Sequence, residues 1–470
     1  MECNTPPESA GFAYQAVYRY LVAWIEASPS APERRLPSLR ELAQRLRVSV
    51  STTKYAYALL EDEGRIQARP RQGYFTCVSR PVIGNDGALD LLDRVFASAR
   101  RPGMLALSSD APALLRSMEQ PLLMLERELT RQYPQSRAPL YQPFGEPELR
   151  AVLADRYTRS AHDCWHAEQV FVGSDLPGIL PLALRALALE GQVALVESPC
   201  SWAVLRQLEA AGMTILEVPL GADGRFDLAQ FHRLLCSAPV SLAVLSSATN
   251  VPQGGLMPAA DKQQICRWLA ERGVWLFEND SYGELCFDRA PARYRDHADP
   301  QRLVVFSTFD KLIGSEAPYG YLLCRQYTER LQVQFLARGF RLSPIRQKAI
   351  ARLFRSRRID QHLRRLRSDL SERMQHMQAL LQAHCRDQLH IAPASGAACL
   401  WLEATRPVDM RRVFERLLGQ GIVIAPGEIF SRQGLWRSHL RLSFTLDWSD
   451  DIALALQRLT NAIKGATYPP

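Results

Sequence analysis

Residues 36–66 read LPSLRELAQRLRVSVSTTKYAYALLEDEGRI, and this stretch decides the first part of the fold. Ser38 follows Pro37 as a helix N-cap, and Leu39, Leu42, Ala43 and Leu46 fall on one face at helical spacing. Arg47-Val48-Ser49 make a turn. A second helix then runs from Ser51 to Glu63 with Tyr55, Ala58, Leu59 and Leu60 inward, closed by Gly64. Upstream, residues 12–28 (FAYQAVYRYLVAWIEAS) space apolar groups as a third helix. Downstream, residues 66–78 (IQARPRQGYFTCV) predict two strands around a turn at Pro70 to Gly73. Helix, helix–turn–helix and basic hairpin make a winged helix–turn–helix. Between Arg34 and Tyr74 nine Lys/Arg stand against four Asp/Glu, while the whole chain carries a net charge of +8. More than half of the surplus therefore sits in a small part of the chain, as a polyanion-binding surface requires.

The chain has 470 residues, room for two or three domains, and its apolar and charged fractions of 47% and 23% are those of a folded globular protein. No apolar run approaches the roughly 20 residues of a membrane-spanning helix, and the N-terminus lacks the pattern of a secretory signal. Ten cysteines occur singly, with no C-x-x-C pair, which argues against a zinc site and for a reducing compartment. The expected location is the cytoplasm, with no membrane partner and no metal.

After a Pro/Gly/Asn-containing stretch at 79–87, short β-rich runs alternate with helical segments: VALVES (193–198), TILEVPL (214–220), LAVLSSA (242–248), VWLFEND (274–280) and LVVFST (303–308). Apolar strands between helices imply a mainly parallel sheet covered on both faces, with ligands at the carboxyl ends of the strands. The residues there are chemically suggestive. Asp280 and Tyr282 follow one run, and Ser307, Thr308 and Lys311 close or follow another; Asn250 follows LAVLSSAT, Trp202 follows ESPCS, and Arg441 lies in WRSHLRLSF. Together they suit pyridoxal phosphate. A carboxylate against the pyridine nitrogen keeps it protonated, a lysine forms the Schiff base, an aromatic stacks on the ring, and a guanidinium binds a carboxylate bidentately.

Two resemblances sharpen this reading. LPSLRELAQRLRVS, TTKYAYALLEDEG and ARPRQGYF resemble the winged-helix domain of GntR-type transcriptional regulators. By position this implies DNA contacts from Ser38, Arg40, Ser49, Ser51, Thr52 and Lys54, with Arg69, Arg71 and Gly73 in the wing. Val50 stands where that family often has a base-reading arginine. Residues from about 90 to 466 resemble fold-type I aminotransferases through LYQPFGEPELR (140–150), DSY (280–282), STFDK (307–311), APGEIF (425–430) and RLS (441–443). The resemblance implies Lys311 as the Schiff-base lysine, Asp280 on the ring nitrogen, and Tyr282 and Asn250 on the phenolate oxygen. Trp202 would stack, Ser174 and Thr308 would help to hold the cofactor, Arg441 would clamp a carboxylate, and Tyr141 would reach the phosphate in the other subunit of a homodimer. In this order the two parts resemble the MocR subfamily of GntR regulators.

The implied organisation is a winged helix–turn–helix over 10–79, a linker over 80–88, and an aminotransferase-like α/β domain over 89–466. Its smaller α+β subdomain covers about 350–466. The implied function is a DNA-binding regulator that senses pyridoxal phosphate or its adduct with an amine or amino acid; the alternatives are an active aminotransferase, or a regulator whose altered pocket takes another ligand. The phosphate end departs from the family pattern. Asp175 lies inside the phosphate loop, Asp310 precedes the lysine where serine is usual, and Pro318 replaces an arginine, with Arg432 or Arg437 as candidate replacements. The arginine-rich stretch 352–374 reads as a solvated helix with Leu353, Ile359, Leu363, Leu366 and Leu370 inward.

Overall fold

The computed structural model describes residues 17–18, 20–22, 24, 34–62, 66–69, 72–76, 90–132, 142–161, 163–287, 291–446, 448 and 451–466. The chain divides into two compact units, Met1–Leu89 and Asp90–Pro470. Tyr141, Arg71, Gly64 and the stretch 79–87 lie outside the described residues.

In the first unit the helices are Leu39–Leu46 and Val50–Asp62, followed by the antiparallel strands β1 (Ile66–Arg69) and β2 (Gly73–Thr76). Ser38 closes a capping box: its side chain accepts from the Glu41 backbone at 3.3 Å, and Glu41 accepts from the Ser38 N–H at 2.8 Å. Arg47 ends the first helix in the left-handed conformation (φ 53°). The core is Leu36, Leu42, Ala56, Tyr57, Leu60 and Ile66, joined by Val17 and Leu21 of the upstream segment. Two inward assignments fail: Tyr55 and Ala58 are exposed, whereas Ala56 and Tyr57 are buried. Tyr57 and Leu60 sit three apart on the stripe facing the first helix, and that register turns Tyr55 and Ala58 outward. The Tyr57 hydroxyl donates to the Pro37 carbonyl at 2.7 Å. Tyr57→Phe should cost about 1 kcal/mol, read as a lower urea midpoint.

In the second unit β3 (Leu105–Ala106) precedes a seven-stranded sheet of β4 (Val170–Gly173), β5 (Val193–Ser198), β6 (Thr214–Pro219), β7 (Val240–Ser246), β8 (Trp275–Asn279), β9 (Leu303–Thr308) and β10 (Gly320–Cys324). Its order is β4-β10-β9-β8-β7-β5-β6; β10 is antiparallel to both neighbours, and every other pairing is parallel. Helices cover both faces, so most strand residues are buried, with edge strand β6 the exception. A second sheet of β11 (Leu389–Ile391), β12 (Cys399–Ala404), β14 (Ala425–Pro426) and β15 (His439–Ser443) follows, and β13 (Ile422–Val423) pairs in parallel with β3. Helix Arg358–Cys385 buries Ile359, Leu363, Leu366 and Leu370 and turns Arg364 and Arg365 to solvent. Gly145 has φ +99°, and a Cβ there would meet the Val172 Cβ at 2.5 Å. Gly145→Ala should therefore lose roughly 2 kcal/mol or more, read as a lower thermal midpoint.

Candidate functional site

The carboxyl ends of β7, β8 and β9 open into a cavity of about 310 Å³ that Lys311, Tyr282, Trp202, Thr308 and Arg441 all line. Lys311 lies just past β9, and Trp202 opens helix Trp202–Ala210 after a cis Ser198–Pro199 bond, meeting Phe96 edge-on at 4.6 Å. Arg441 comes from β15, where it pairs with Trp401 and Ala425, and only 4% of its side chain is exposed. Five residues from four separate stretches of the sequence are thus brought together.

Three others are not. Asp280 does not line the cavity; Asn279 does. Side chains alternate along a strand, so Glu278 and Asp280 face one way and Asn279 the other. Arg295 Nη1 lies 3.0 Å from Glu278 and 3.2 Å from Asp280, and Tyr157 donates to Asp280 at 2.7 Å. Burial would raise the Asp280 carboxyl, but Arg295 and Arg293 outweigh it and hold it below the usual range. Asn250 is likewise turned away, accepting from the Gly255 N–H at 2.9 Å within its own loop, while Val251, before a cis proline, lines the wall. Ser174 donates to Asp175 at 3.1 Å and does not line the cavity.

The cavity also holds a residue with no sequence signal. Asp110 arrives from the segment after β3 and takes the centre of the cation cluster. Its carbonyl accepts from Lys311 at 2.7 Å, its carboxylate lies 3.5 Å from the same ammonium and 3.4 Å from Arg441 Nη1, and Tyr282 donates to it. Burial works against the charge on Lys311, yet Asp110 and Asp310 hold its amine above the ordinary lysine range. Burial also opposes ionisation of Asp110, and Lys311 and Arg441 outweigh it.

At the far end Asp175 caps helix Leu176–Ala186, its carboxylate accepting from the Gly178 N–H at 2.7 Å. An anion would need that donor and the positive end of the helix, and the chain's own carboxylate already uses them. Asp310 and Pro318 line the same end; Arg432 binds Glu209 instead, and neither it nor Arg437 lines the cavity.

On the first unit Ser49, Val50, Ser51 and Lys54 are exposed around the start of the second helix, with Thr52 half-buried, and Arg40 is exposed at the start of the first. The Ser49 hydroxyl accepts from the Thr52 N–H at 3.0 Å and pairs with the Ser51 and Thr52 hydroxyls at 2.8 and 2.7 Å. Ser49 is thereby a cap that aligns short hydroxyls at the helix N-terminus, the end that approaches nucleic acid. Arg69 stacks on Phe75 at 4.8 Å and Gly73 begins β2 at φ +103°.

Residues 103–459 match the family model for aminotransferase class I and II. The chain belongs to that family. Residues 13–76 match the model for bacterial regulatory proteins of the gntR family, so the two halves make it a transcriptional regulator of the MocR subfamily with a DNA-binding domain. It is 29% identical over 468 residues to the HTH-type transcriptional regulator YdcR of Escherichia coli, covering 96% of this chain and 99% of that protein. It is 25% identical over 429 residues to the probable rhizopine catabolism regulatory protein MocR of Rhizobium meliloti, covering 88% and 86%. The kynurenine aminotransferase of Pyrococcus horikoshii superposes with a TM-score of 0.72 at 17% identity, over 80% of this chain and 94% of that one, which shows the shared fold.

That family implies pyridoxal phosphate, whose chemistry is an electron-sink ring made cationic by a carboxylate on its nitrogen. The wall of this regulator does not fit it. Asn279 and Val251 face the cavity where Asp280 and Asn250 were expected, and the phosphate end offers Asp175 and Asp310 with no arginine among the described residues. A carboxylate about 4 Å from a phosphate oxygen costs about 4 kcal/mol at an effective dielectric near 20. Lys311, Tyr282, Trp202 and Arg441 remain, arranged around Asp110. None of the described helices is long and apolar enough to cross a membrane.

Proposed function

We propose that the cavity around Arg441 is the sensing site of this regulator, and that its occupancy sets how the winged helices meet double-stranded DNA in the cytoplasm. The observation that carries this reading is the cluster of Lys311, Tyr282 and Arg441 on one carboxylate, a ready-made recognition site for an anion, in a chain whose other unit presents basic and hydroxyl side chains at a recognition-helix N-terminus. Binding shifts a population only through different affinities for two arrangements, and a buried charge cluster that exchanges partners supplies such a difference.

Turnover as an aminotransferase is not part of the reading. A transaminase needs its lysine poised on a well-placed ring, and misplacement by about 1 Å costs on the order of a hundredfold in rate. Here the lysine is engaged by Asp110 and Asp310. The homodimer implied by the resemblance suits a regulator on a two-fold operator. The test is operator binding with and without small ligands in wild type and Arg441→Gln. Ligand-dependent affinity in wild type, lost in the variant, is expected; an affinity no small molecule alters would defeat the reading. Keto-acid release from amino donors should stay at background, and sustained release abolished by Lys311→Ala would favour an enzyme.

A further inference from the structure

We propose that Asp110 is the resident occupant of the anion site, and that the site's ligand is a zwitterionic amino acid that displaces it directly, without pyridoxal phosphate. This deepens the sensing reading above and rests on it for biological meaning. The cations lining the cavity are Lys311 and Arg441, and both face Asp110. Arg441 is the less satisfied of the two. Its Nη2 donates to the Ser108 carbonyl at 2.6 Å, but its buried Nε has no partner among the described residues, and Nη1 lies 3.4 Å from Asp110 without a hydrogen bond. A planar guanidinium is completed by a carboxylate taken bidentately, and Asp110 does not take it that way.

Carboxylates line the same cavity besides Asp110: Asp310 is 3.5 Å from the Lys311 ammonium, and Asp175 is part of the wall. A free carboxylate entering at Arg441 would therefore meet donors, and an ammonium on the same molecule would meet Asp310 and Asp175. A phosphate there would meet the same two carboxylates as repulsion. The layout selects a ligand with one charge of each sign. Asp110 is carried by the segment that follows β3, and β3 is pinned by pairing with β13. Displacing the carboxylate moves that segment and leaves its anchor in place, which turns ligand exchange into a change of shape.

The test is calorimetric titration of the full chain, free of pyridoxal phosphate, with glycine, 5-aminopentanoate, acetate and inorganic phosphate. At least one zwitterion should bind, and Asp110→Asn should tighten it roughly tenfold or more, because a competing charged partner is gone. Asp110→Glu, which keeps the charge, should stay near wild type and shows that the segment still folds. Arg441→Gln should abolish binding. Asp175→Asn with Asp310→Asn should weaken the zwitterions and spare acetate. Unchanged affinity in Asp110→Asn, no binding of either zwitterion in wild type and Asp110→Asn alike, or binding only after pyridoxal phosphate is added would overturn the proposal. Binding that follows this pattern yet leaves operator affinity unmoved would uphold the site and remove the sensor reading.

Discussion

Adding pyridoxal phosphate to the purified regulator should produce no aldimine absorbance band at micromolar cofactor, and four substitutions should create one. They are Asn279→Asp and Val251→Asn for the ring, and Asp310→Ser and Pro318→Arg for the phosphate. The first pair returns a carboxylate and an amide to positions that line the cavity. The second removes a like charge and supplies a cation. A hydrogen bond to a charged group is worth about 1.5–3 kcal/mol, so the phosphate pair alone should shift affinity by between about a hundredfold and ten-thousandfold. The pairs share one ligand, and their effects need not add. Lys311, whose amine would attack the aldehyde, lies 3.5 Å from both Asp110 and Asp310. Lys311→Ala in the fourfold variant should remove the band again. A strong band in wild type would show that another group meets both ends of the cofactor.

The second large effect concerns DNA. Affinity of the full chain for a selected duplex should fall steeply between 50 and 200 mM salt, because each neutralised phosphate releases a counterion. Lys54→Ala and Arg40→Ala should each lower the salt slope by about one and weaken binding, since Lys54 stands exposed in the first turns of the recognition helix and Arg40 stands exposed at the start of the helix before it. Ser49→Ala removes the cap on that helix and should cost about 1 kcal/mol of stability along with some affinity. Val50→Arg adds a donor at an exposed position and should change which duplexes are selected, measured by repeating the selection.

Much of the architecture is readable from the chain. The strands at 193–198 and 303–308 appear where alternating apolar runs place them; Lys311, Tyr282 and Trp202 meet because parallel strands gather their carboxyl ends, and Arg441 joins them from β15 of the second sheet. The errors are single-residue errors with definite causes. At the end of β8 a period-two strand decides which neighbour faces the ligand, so Asn279 and Asp280 exchange roles; the buried Arg295 that draws Glu278 and Asp280 together marks the face. At 250–251 the loop around a cis proline shifts the register by one. Asp110 lay beyond reach for another reason. Its partners are 172 and 201 residues away, and nothing in SSDAP distinguishes it from a turn aspartate until the chain is folded.

The most direct test of the account is operator affinity of the full chain, at fixed salt and free of pyridoxal phosphate, titrated separately with glycine, 5-aminopentanoate and pyridoxal phosphate. A change in affinity with an amino acid alone, shifted to lower concentration by Asp110→Asn and absent with pyridoxal phosphate, is the predicted result. A change that requires pyridoxal phosphate and disappears in Lys311→Ala would contradict it.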